Sequence, residues 1–204
     1  ILSGLVGSEM CIRDSSGALY SLAILKGISD SGNACYLVTS KPGRRVLSLE
    51  TGINLTGKPS SDKKILQENL NINDGNLEVI DENDVGANIA SGSFRTKGMA
   101  IVPCSTGTLG SIANGISRGL IERAADVCLK ERRTLIVVPR ETPYSLIHLE
   151  NMTKLTKAGA IVLPASPGFY NVPKSIDDLI KMISTRVLEK LGIVSSTLKE
   201  WEGT

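Results

Sequence analysis

The second half of the chain contains three short apolar runs that each end in proline. The runs are residues 99–103, 135–139 and 160–164, and none of them contains a polar side chain. Continuous runs of this kind, rich in β-branched residues, are typical of strands that are buried on both faces. Proline lacks a backbone N–H, so it belongs where the pairing of a strand stops. The runs therefore predict three strands of one parallel sheet.

Helical patterns separate these runs. We expect helices at 109–116, 120–130 and 145–157, and a closing helix at 176–191 that Ser175 caps. In the first half, the pattern predicts helices at 18–28, 46–50 and 65–70, strands at 35–39 and 77–80, and a polar loop at 52–64. This alternation of strands and helices predicts an α/β fold with a mainly parallel sheet and right-handed crossovers.

Composition excludes several classes of protein. The 204 residues include 23 basic and 21 acidic side chains, and only 3% are aromatic, so neither charge nor base stacking favours binding of nucleic acid. The longest uncharged stretch, 98–117, contains Pro103 and several glycines, which argues against a membrane span. The four cysteines form no C-x-x-C pair, so we expect no zinc site, and reduced thiols in a cytoplasmic protein.

The glycine pattern and the histidine content limit the chemistry further. No two glycines are separated by one residue, so the chain has no G-x-G-x-x-G fingerprint, and it has no G-K-[S/T] of a P-loop. Any nucleotide would therefore have to be bound without either of these two motifs. The only histidine, His148, lies in a helical pattern and is expected to be structural. A histidine-rich metal site is therefore excluded.

The residues that follow the predicted strands are the candidate site, because ligands of such sheets bind beyond the carboxyl ends of the strands. Ser105, Thr106, Gly107 and Thr108 lie between a strand and a helix, where hydroxyl and N–H groups can bind phosphate. A helix cap followed by a turn explains the same residues. Ser16, before the first helix, has the same two interpretations.

Charged residues at two element ends are also open to two interpretations. Arg140 and Glu141 directly follow a buried strand. The arginine could clamp a phosphate and the carboxylate could transfer a proton, or the two could form a surface ion pair. Lys130 ends a predicted helix, where the helix dipole stabilises a solvated cation.

Five strings of sequence resemble one family. They are residues 101–109, 120–133, 138–143, 148–152 and 167–170. Together they look like the flavin prenyltransferases of the UbiX type, earlier described as 3-octaprenyl-4-hydroxybenzoate carboxy-lyases of ubiquinone biosynthesis. The resemblance runs from about Ser16 to Trp201, which is nearly the whole chain.

The resemblance implies a fold, a reaction and an assembly. The fold is a three-layer flavodoxin-like or Rossmann-like sandwich. Such enzymes join a dimethylallyl group from dimethylallyl phosphate to N5 and C6 of reduced FMN, which is a co-substrate, and they need no metal. The prenylated FMN serves a UbiD-type decarboxylase. The family assembles as a homo-oligomer, a dodecamer, whose active sites are shared between subunits.

The resemblance also assigns roles to individual residues. It implies that FMN is bound by Ser16, Ser40, Ser105, Thr106, Gly107, Thr108 and Arg140. It implies a pocket for the prenyl phosphate made of Lys130, Arg140, Glu141, Tyr170 and Arg186. Glu141, Ser16, Lys130 and Tyr170 are expected to act in catalysis, and Trp201 to lie near a neighbouring site.

The N-terminal segment departs from the family pattern. The family has Thr-Gly-Ala-Ser-Gly before the first helix, but here Asp14 and Ser15 stand where Gly-Ala is expected. We therefore expect residues 1–15 to be an atypical segment, a sequencing-adapter or frameshift scar that replaces the first strand. Residues 16–192 would then form the flavin-binding domain, and residues 193–204 a C-terminal tail.

Two other functions remain open at this point. One is an FMN-dependent cysteinyl decarboxylase of related fold, which uses a histidine near the first helix and a Pro-Ala-Ser-Ala-Asn loop. This chain has neither, and residues 90–93 occupy the loop region. The other is a flavin-binding protein without catalytic activity, which would keep the hydroxyl loops and would not need Glu141, Tyr170 and Lys130 together.

Overall fold

A single parallel sheet forms the middle layer of the molecule. The computed structural model describes residues 7–13, 15–72, 74–170 and 172–193. Within these ranges all strand pairs are parallel, in the order β3-β2-β1-β4-β5-β6. The strands are β1 Ser8–Ile12, β2 Cys35–Thr39, β3 Leu77–Ile80, β4 Gly98–Cys104, β5 Thr134–Pro139 and β6 Ile161–Val162.

Helices cover both faces of this sheet. They are α1 Ala18–Asp30, α2 Lys41–Thr51, α3 Pro59–Leu70, α4 Thr106–Ala113, α5 Leu120–Lys130, α6 Leu146–Lys157 and α7 Ile176–Lys190. One apolar core packs α1, α2, α3 and α7 against the first face. A second core packs α4, α5 and α6 against the other face. The expected three-layer α/β sandwich is therefore confirmed. None of the helices in the described ranges is long and apolar enough to cross a membrane.

Strand β1 lies at the centre of the sheet, between β2 and β4. All five of its residues are buried, although Ser8 and Glu9 are polar. Thr96 Oγ1 donates a hydrogen bond of 2.6 Å to Glu9 Oε1. Glu9 Oε2 and Ser8 Oγ have no hydrogen-bond partner among the described residues. The central strand thus carries polar groups where a strand buried on both faces normally has apolar ones.

The position of β1 bears on the expected domain boundary. Residues 8–12 belong to the same sheet as the rest of the chain, so a boundary at residue 16 does not mark a separate structural unit. The interpretation of residues 1–15 as a scar concerns the origin of the sequence and stays a prediction.

Three helices begin earlier than the sequence predicts. Helix α2 starts at Lys41 and α3 at Pro59, so the expected loop at 52–64 is shortened. Each of these two helices has a proline in its first turn, Pro42 and Pro59, where the fixed φ and the missing N–H of proline suit a helix start. Helix α4 also begins three residues earlier, directly after its cap Ser105. These shifts bring the helix N-termini close to the carboxyl ends of the strands.

Candidate functional site

The candidate site lies where the order of the strands reverses. Strands β1 and β4 are neighbours, and their following helices α1 and α4 cover opposite faces of the sheet. The carboxyl ends of such a pair form a crevice in which α/β proteins bind ligands. The loops that lead into α1 and α4 contain Ser16 and residues 105–108, as the sequence predicts.

The loop after β4 forms the N-terminus of α4. The Ser105 hydroxyl caps this helix by accepting a hydrogen bond of 3.4 Å from the Thr108 N–H. The first N–H groups of a helix have no partner within it, so those of Thr106 and Gly107 are available to an acceptor. A Cβ built on Gly107 would meet no atom within 4 Å, so the backbone here is open to a ligand. The cap interpretation of Ser105 is therefore correct, and it leaves the helix N-terminus accessible.

A cleft of about 350 Å³ opens beside this helix N-terminus. Arg13 lies in its wall, where Nε donates to Thr108 Oγ1 at 2.6 Å and a terminal nitrogen lies 2.8 Å from Glu122 Oε1. Glu82 lines the same cleft and pairs with Arg44 at 3.2 Å. Both carboxylates in the wall are thus already matched by arginines.

The N-terminus of α1 is occupied by a glutamate from another helix. The Glu50 carboxylate accepts hydrogen bonds from the N–H groups of Gly17, at 3.0 Å, and Ala18, at 2.8 Å. Gly17 adopts a φ of 123°, which side-chain-bearing residues rarely adopt. Sequence reasoning missed Glu50 because no local pattern indicates a carboxylate contact to a residue 33 positions away.

Arg140 connects the loop after β5 to the loop before α1. Its Nε donates a hydrogen bond of 3.1 Å to the Ser16 carbonyl oxygen. The two terminal nitrogens of the guanidinium make no hydrogen bond to a described residue. The structure therefore brings together two of the residues that the sequence predicts, Ser16 and Arg140, from strands that are not neighbours.

Ser40 is placed at the N-terminus of α2. Its hydroxyl accepts from the Gly43 N–H at 3.0 Å and caps the helix. Glu82 accepts a second bond there, from the Lys41 N–H at 2.7 Å. The N-terminus of α2 is thus satisfied by the chain itself, and a Cβ on Gly43 would lie 2.6 Å from the Ile12 carbonyl oxygen. This close approach fixes Ser40 against the end of β1.

Glu141 and Tyr170 follow the two strands at one edge of the sheet. The Glu141 carboxylate accepts a hydrogen bond of 3.0 Å from the Thr142 N–H. Burial, and then the nearby Glu141 carboxylate, raises the pKa of the Tyr144 phenol. Tyr144 is therefore a neighbour of Glu141, the expected catalytic carboxylate. No sequence pattern singled out Tyr144. Tyr170 is 65% exposed and Phe169 71%.

Lys130 and Arg186 are not brought to this edge by the contacts that the structure describes. Lys130 is the last residue of α5, a helix of 11 residues that begins at the cleft; its length of about 16 Å carries Lys130 away from it. The Lys130 ammonium lies 2.9 Å from Glu131 Oε1. Arg186 pairs with Glu189 at 2.9 Å on α7. Neither contacts Arg140 or Glu141 within the described chain.

Several further expectations can be located or set aside. Asp14 and Trp201 lie outside the described residues. His148 is structural, because its Nδ1 accepts from the Ser145 N–H in a capping box at the start of α6. In the described ranges, no group of histidine, cysteine, aspartate and glutamate could hold a metal ion. All four cysteines are buried and none forms a disulfide, and burial raises the pKa of Cys35 to about 12.

Comparison with known proteins identifies the family. A family model described as Flavoprotein matches residues 10–188. A protein of Pseudomonas aeruginosa named flavin prenyltransferase UbiX is 43% identical over 98% of this chain and 96% of its own length. The chain belongs to the flavin prenyltransferase family. The resemblance that the sequence strings carry is thereby confirmed.

Solved structures of flavin prenyltransferases have the same fold. A structure described as AnUbiX in complex with FMN and dimethylallyl pyrophosphate has a TM-score of 0.85 and 36% identity, with 97% of each chain covered. A structure described as a dodecameric FMN-dependent UbiX-like decarboxylase from Escherichia coli O157:H7 also has a TM-score of 0.85 and 36% identity. It covers 97% of this chain and all of that one. A cysteine decarboxylase, TvaF, shares only the fold, at 14% identity and a TM-score of 0.59.

Proposed function

We propose that this chain transfers a dimethylallyl group from dimethylallyl phosphate to reduced FMN and so makes prenylated FMN. The contact between Arg140 and Ser16 is the observation that carries the proposal. It joins the loop expected to bind flavin to the loop expected to bind the prenyl phosphate. The reacting groups of the two substrates would therefore meet at this edge of the sheet.

The residues of this chain fit the phosphate of FMN. The N-terminus of α4 offers the N–H groups of Thr106 and Gly107 beside an open cleft of about 350 Å³. Amide groups and the helix dipole at such a position favour an anion. When bound, reduced FMN would supply the electron-rich N5 and C6 positions that receive the allylic group.

Four residues have roles in the transfer itself, and a fifth, Ser16, is positioned by one of them. The free nitrogens of Arg140 would hold the phosphate, which leaves with the electron pair of the broken C–O bond. Glu141 would accept the proton that leaves C6 after the second bond forms. Tyr170 and the neighbouring Phe169 would screen the allylic cation from water. Ser16 would be held in place by its backbone contact with Arg140.

Lys130 and Arg186 suit a site that is shared between subunits. Lys130 lies at the far end of α5 from the cleft, so it would serve the pocket of a neighbouring copy. We infer a homo-oligomer, with a dodecamer as the expected form because the Escherichia coli relative is described as dodecameric. Several large apolar side chains are exposed in the segments that follow β5 and β6, which suits an interface between copies. They are Leu146, Ile147, Leu149, Phe169, Val172 and Ile176.

The product and its setting follow from the same proposal. Prenylated FMN would be delivered to a UbiD-type decarboxylase, in ubiquinone biosynthesis or a related pathway. Four buried cysteines without a disulfide suit a reducing compartment, and we place the protein in the cytoplasm.

The test combines binding and product formation. Titration with the chain should quench the fluorescence of FMN and leave that of NADH unchanged. Reduced FMN with dimethylallyl phosphate should then give a flavin product whose mass is increased by one prenyl group, and the diphosphate donor is run in parallel. Binding of NADH in place of FMN would contradict the flavin site. Binding of FMN without a prenylated product would favour a non-catalytic flavoprotein, and carbon dioxide release from a cysteinyl peptide would favour a decarboxylase.

A further inference from the structure

The cleft beside α4 contains one arginine, Arg118, that has no hydrogen-bond or ion-pair partner among the described residues. Arg118 lies in the connection between α4 and α5 and lines the same cleft as Ser105 and Gly107. Its side chain is exposed, and it makes no hydrogen bond or ion pair with any residue in the described ranges. The resemblance to the family assigned no role to this residue.

Among the residues that the structure describes, no carboxylate in the cleft is left to compensate the charge of Arg118. The two carboxylates of the wall, Glu82 and Glu122, are paired with Arg44 and Arg13 respectively. The charge of Arg118 is therefore in excess. An arginine whose guanidinium is not engaged by a carboxylate is suited to bind a phosphate through two parallel hydrogen bonds.

The N-terminus of α4 reinforces this positive charge. Helix α4 opens into the cleft at Gly107, and its first N–H groups have no partner within the helix. At the start of α5, by contrast, the Leu120 N–H donates to the Glu82 carbonyl oxygen at 3.1 Å, and Glu122 lies in the first turn. The part of the cleft beside α4 and Arg118 therefore suits an anion, and a phosphate monoester has the charge and the acceptor geometry to match it.

We propose that Arg118 binds the phosphate group of FMN, together with the N-terminus of α4. The inference rests on the proposed flavin binding and adds a cofactor-binding residue to it. Arg140, Glu141 and Tyr170, which are expected to hold the prenyl phosphate, do not line this cleft. Arg118 therefore distinguishes the phosphate of the flavin from the phosphate of the prenyl donor.

The experiment compares FMN with riboflavin, which has the same ring and ribityl chain and no phosphate. Dissociation constants for both are measured by fluorescence quenching for the unaltered chain, for Arg118→Gln and for Arg95→Gln. Arg95 is exposed and does not line the cleft, so it controls for the loss of one positive charge. Thermal melts of each variant establish that the fold is retained.

We expect Arg118→Gln to weaken FMN binding by about tenfold, as expected for loss of a charge-assisted hydrogen bond. Riboflavin binding should change less than twofold, and Arg95→Gln should change neither. Arg118→Lys should fall between the unaltered chain and Arg118→Gln, because lysine keeps the charge and loses the fork. Equal FMN affinity of Arg118→Gln and the unaltered chain would overturn the inference, and so would an equal loss for both flavins. If the unaltered chain binds neither flavin, the proposed function fails as well.

Discussion

Glu141 is the residue whose position in the structure best suits its expected role in catalysis. It follows β5, next to the arginine that contacts Ser16, and its carboxylate faces the neighbouring Thr142 N–H and the Tyr144 phenol. Within the described loop after β5, it is the carboxylate that lies beside Arg140 and is placed to accept a proton from a bound substrate. A proton transfer at this edge of the sheet would therefore depend on it.

Replacing Glu141 by Gln should slow product formation and leave FMN binding unchanged. The change removes an ionisable group and alters the volume little. A positioned acid or base contributes about 10²- to 10⁴-fold to a rate, so single-turnover formation of prenylated flavin should fall by that order. The matched control is Glu150→Gln, at an exposed position on α6. Unchanged turnover of Glu141→Gln would remove the residue from the mechanism.

Glu9 should make the stability of the fold depend on pH. Burial raises the pKa of this carboxyl group to about 7, although the Thr96 hydrogen bond and the Arg133 charge lower it. The folded state therefore holds its proton at pH values where the unfolded state, with an ordinary carboxyl pKa, has lost it. The free energy of unfolding should fall by about 3 kcal/mol as pH rises from about 4.5 to 7.

Urea unfolding at a series of pH values measures this dependence. Glu9→Gln should remove most of the decline, whereas Glu68→Gln, at an exposed position on α3, should retain it. A free energy of unfolding that stays constant between pH 5 and pH 7 in the unaltered chain would show that Glu9 finds a partner or water in solution.

At the scale of elements, β1 is the strand whose sequence suits its position least. It is paired on both sides, yet it carries a carboxyl group and a hydroxyl with unsatisfied oxygens. The residue after it, Arg13, reaches into the cleft and binds Thr108, which is an expected flavin ligand. A segment that is foreign to this fold would have both properties. Substitutions in this strand therefore test whether the N-terminal segment is native.

Replacing residues 5–12 by a continuous β-branched strand should raise the melting temperature, because it removes buried polar groups without partners. Arg13 is kept because it pairs with the buried Glu122 carboxylate. Changing Asp14→Gly together with Ser15→Ala should tighten FMN binding, because a carboxylate near a phosphate repels it. Paired melts and FMN titrations of the original and altered chains provide the measurement. Equal stability and equal affinity would indicate that the segment is native and tolerated.

The elements that sequence predicts well are those whose pattern is local. The strands at 35–39 and 77–80 have the predicted bounds, because short apolar runs between polar residues define them. The sequence pattern predicts starts for α2 and α3 that are too late, because the first turns of these helices are polar and only a proline marks them. Glu50 and Arg13 could not be assigned to their partners, since contacts between distant segments depend on how the helices pack. The loops of the site were therefore predictable, but the side chains that meet there were not.

At the scale of the whole molecule, the final helix is part of the main core. Helix α7 packs against α1, where Gly27 lies so close to Leu188 that a Cβ there would come within 2.5 Å of Leu188 Cδ1. Leu191 and Ile193, just beyond the helix, are also buried. The described residues of this core end at Ile193, so a chain that ends there keeps all of them.

Truncation after Ile193 tests the shared site. If the tail around Trp201 completes the pocket of a neighbouring copy, the shortened chain should lose activity while its FMN affinity changes little. Light scattering of the full and shortened chains reports the state of assembly, and the full chain should be an oligomer. An active monomer would contradict a site shared between subunits.

The packing of α7 on α1 has a consequence for biosynthesis. Strand β1 is made early, but its neighbour β4 is made much later, since Glu9 pairs with Met99. The apolar face of α1 is covered only when residues 176–193 have emerged from the ribosome. Until then, the face of α1 around Gly27 lies open to solvent, and such nascent surfaces aggregate or attract chaperones. Stalling of translation before the last helix should therefore leave a species that is captured by chaperones, whereas release of the complete chain should not.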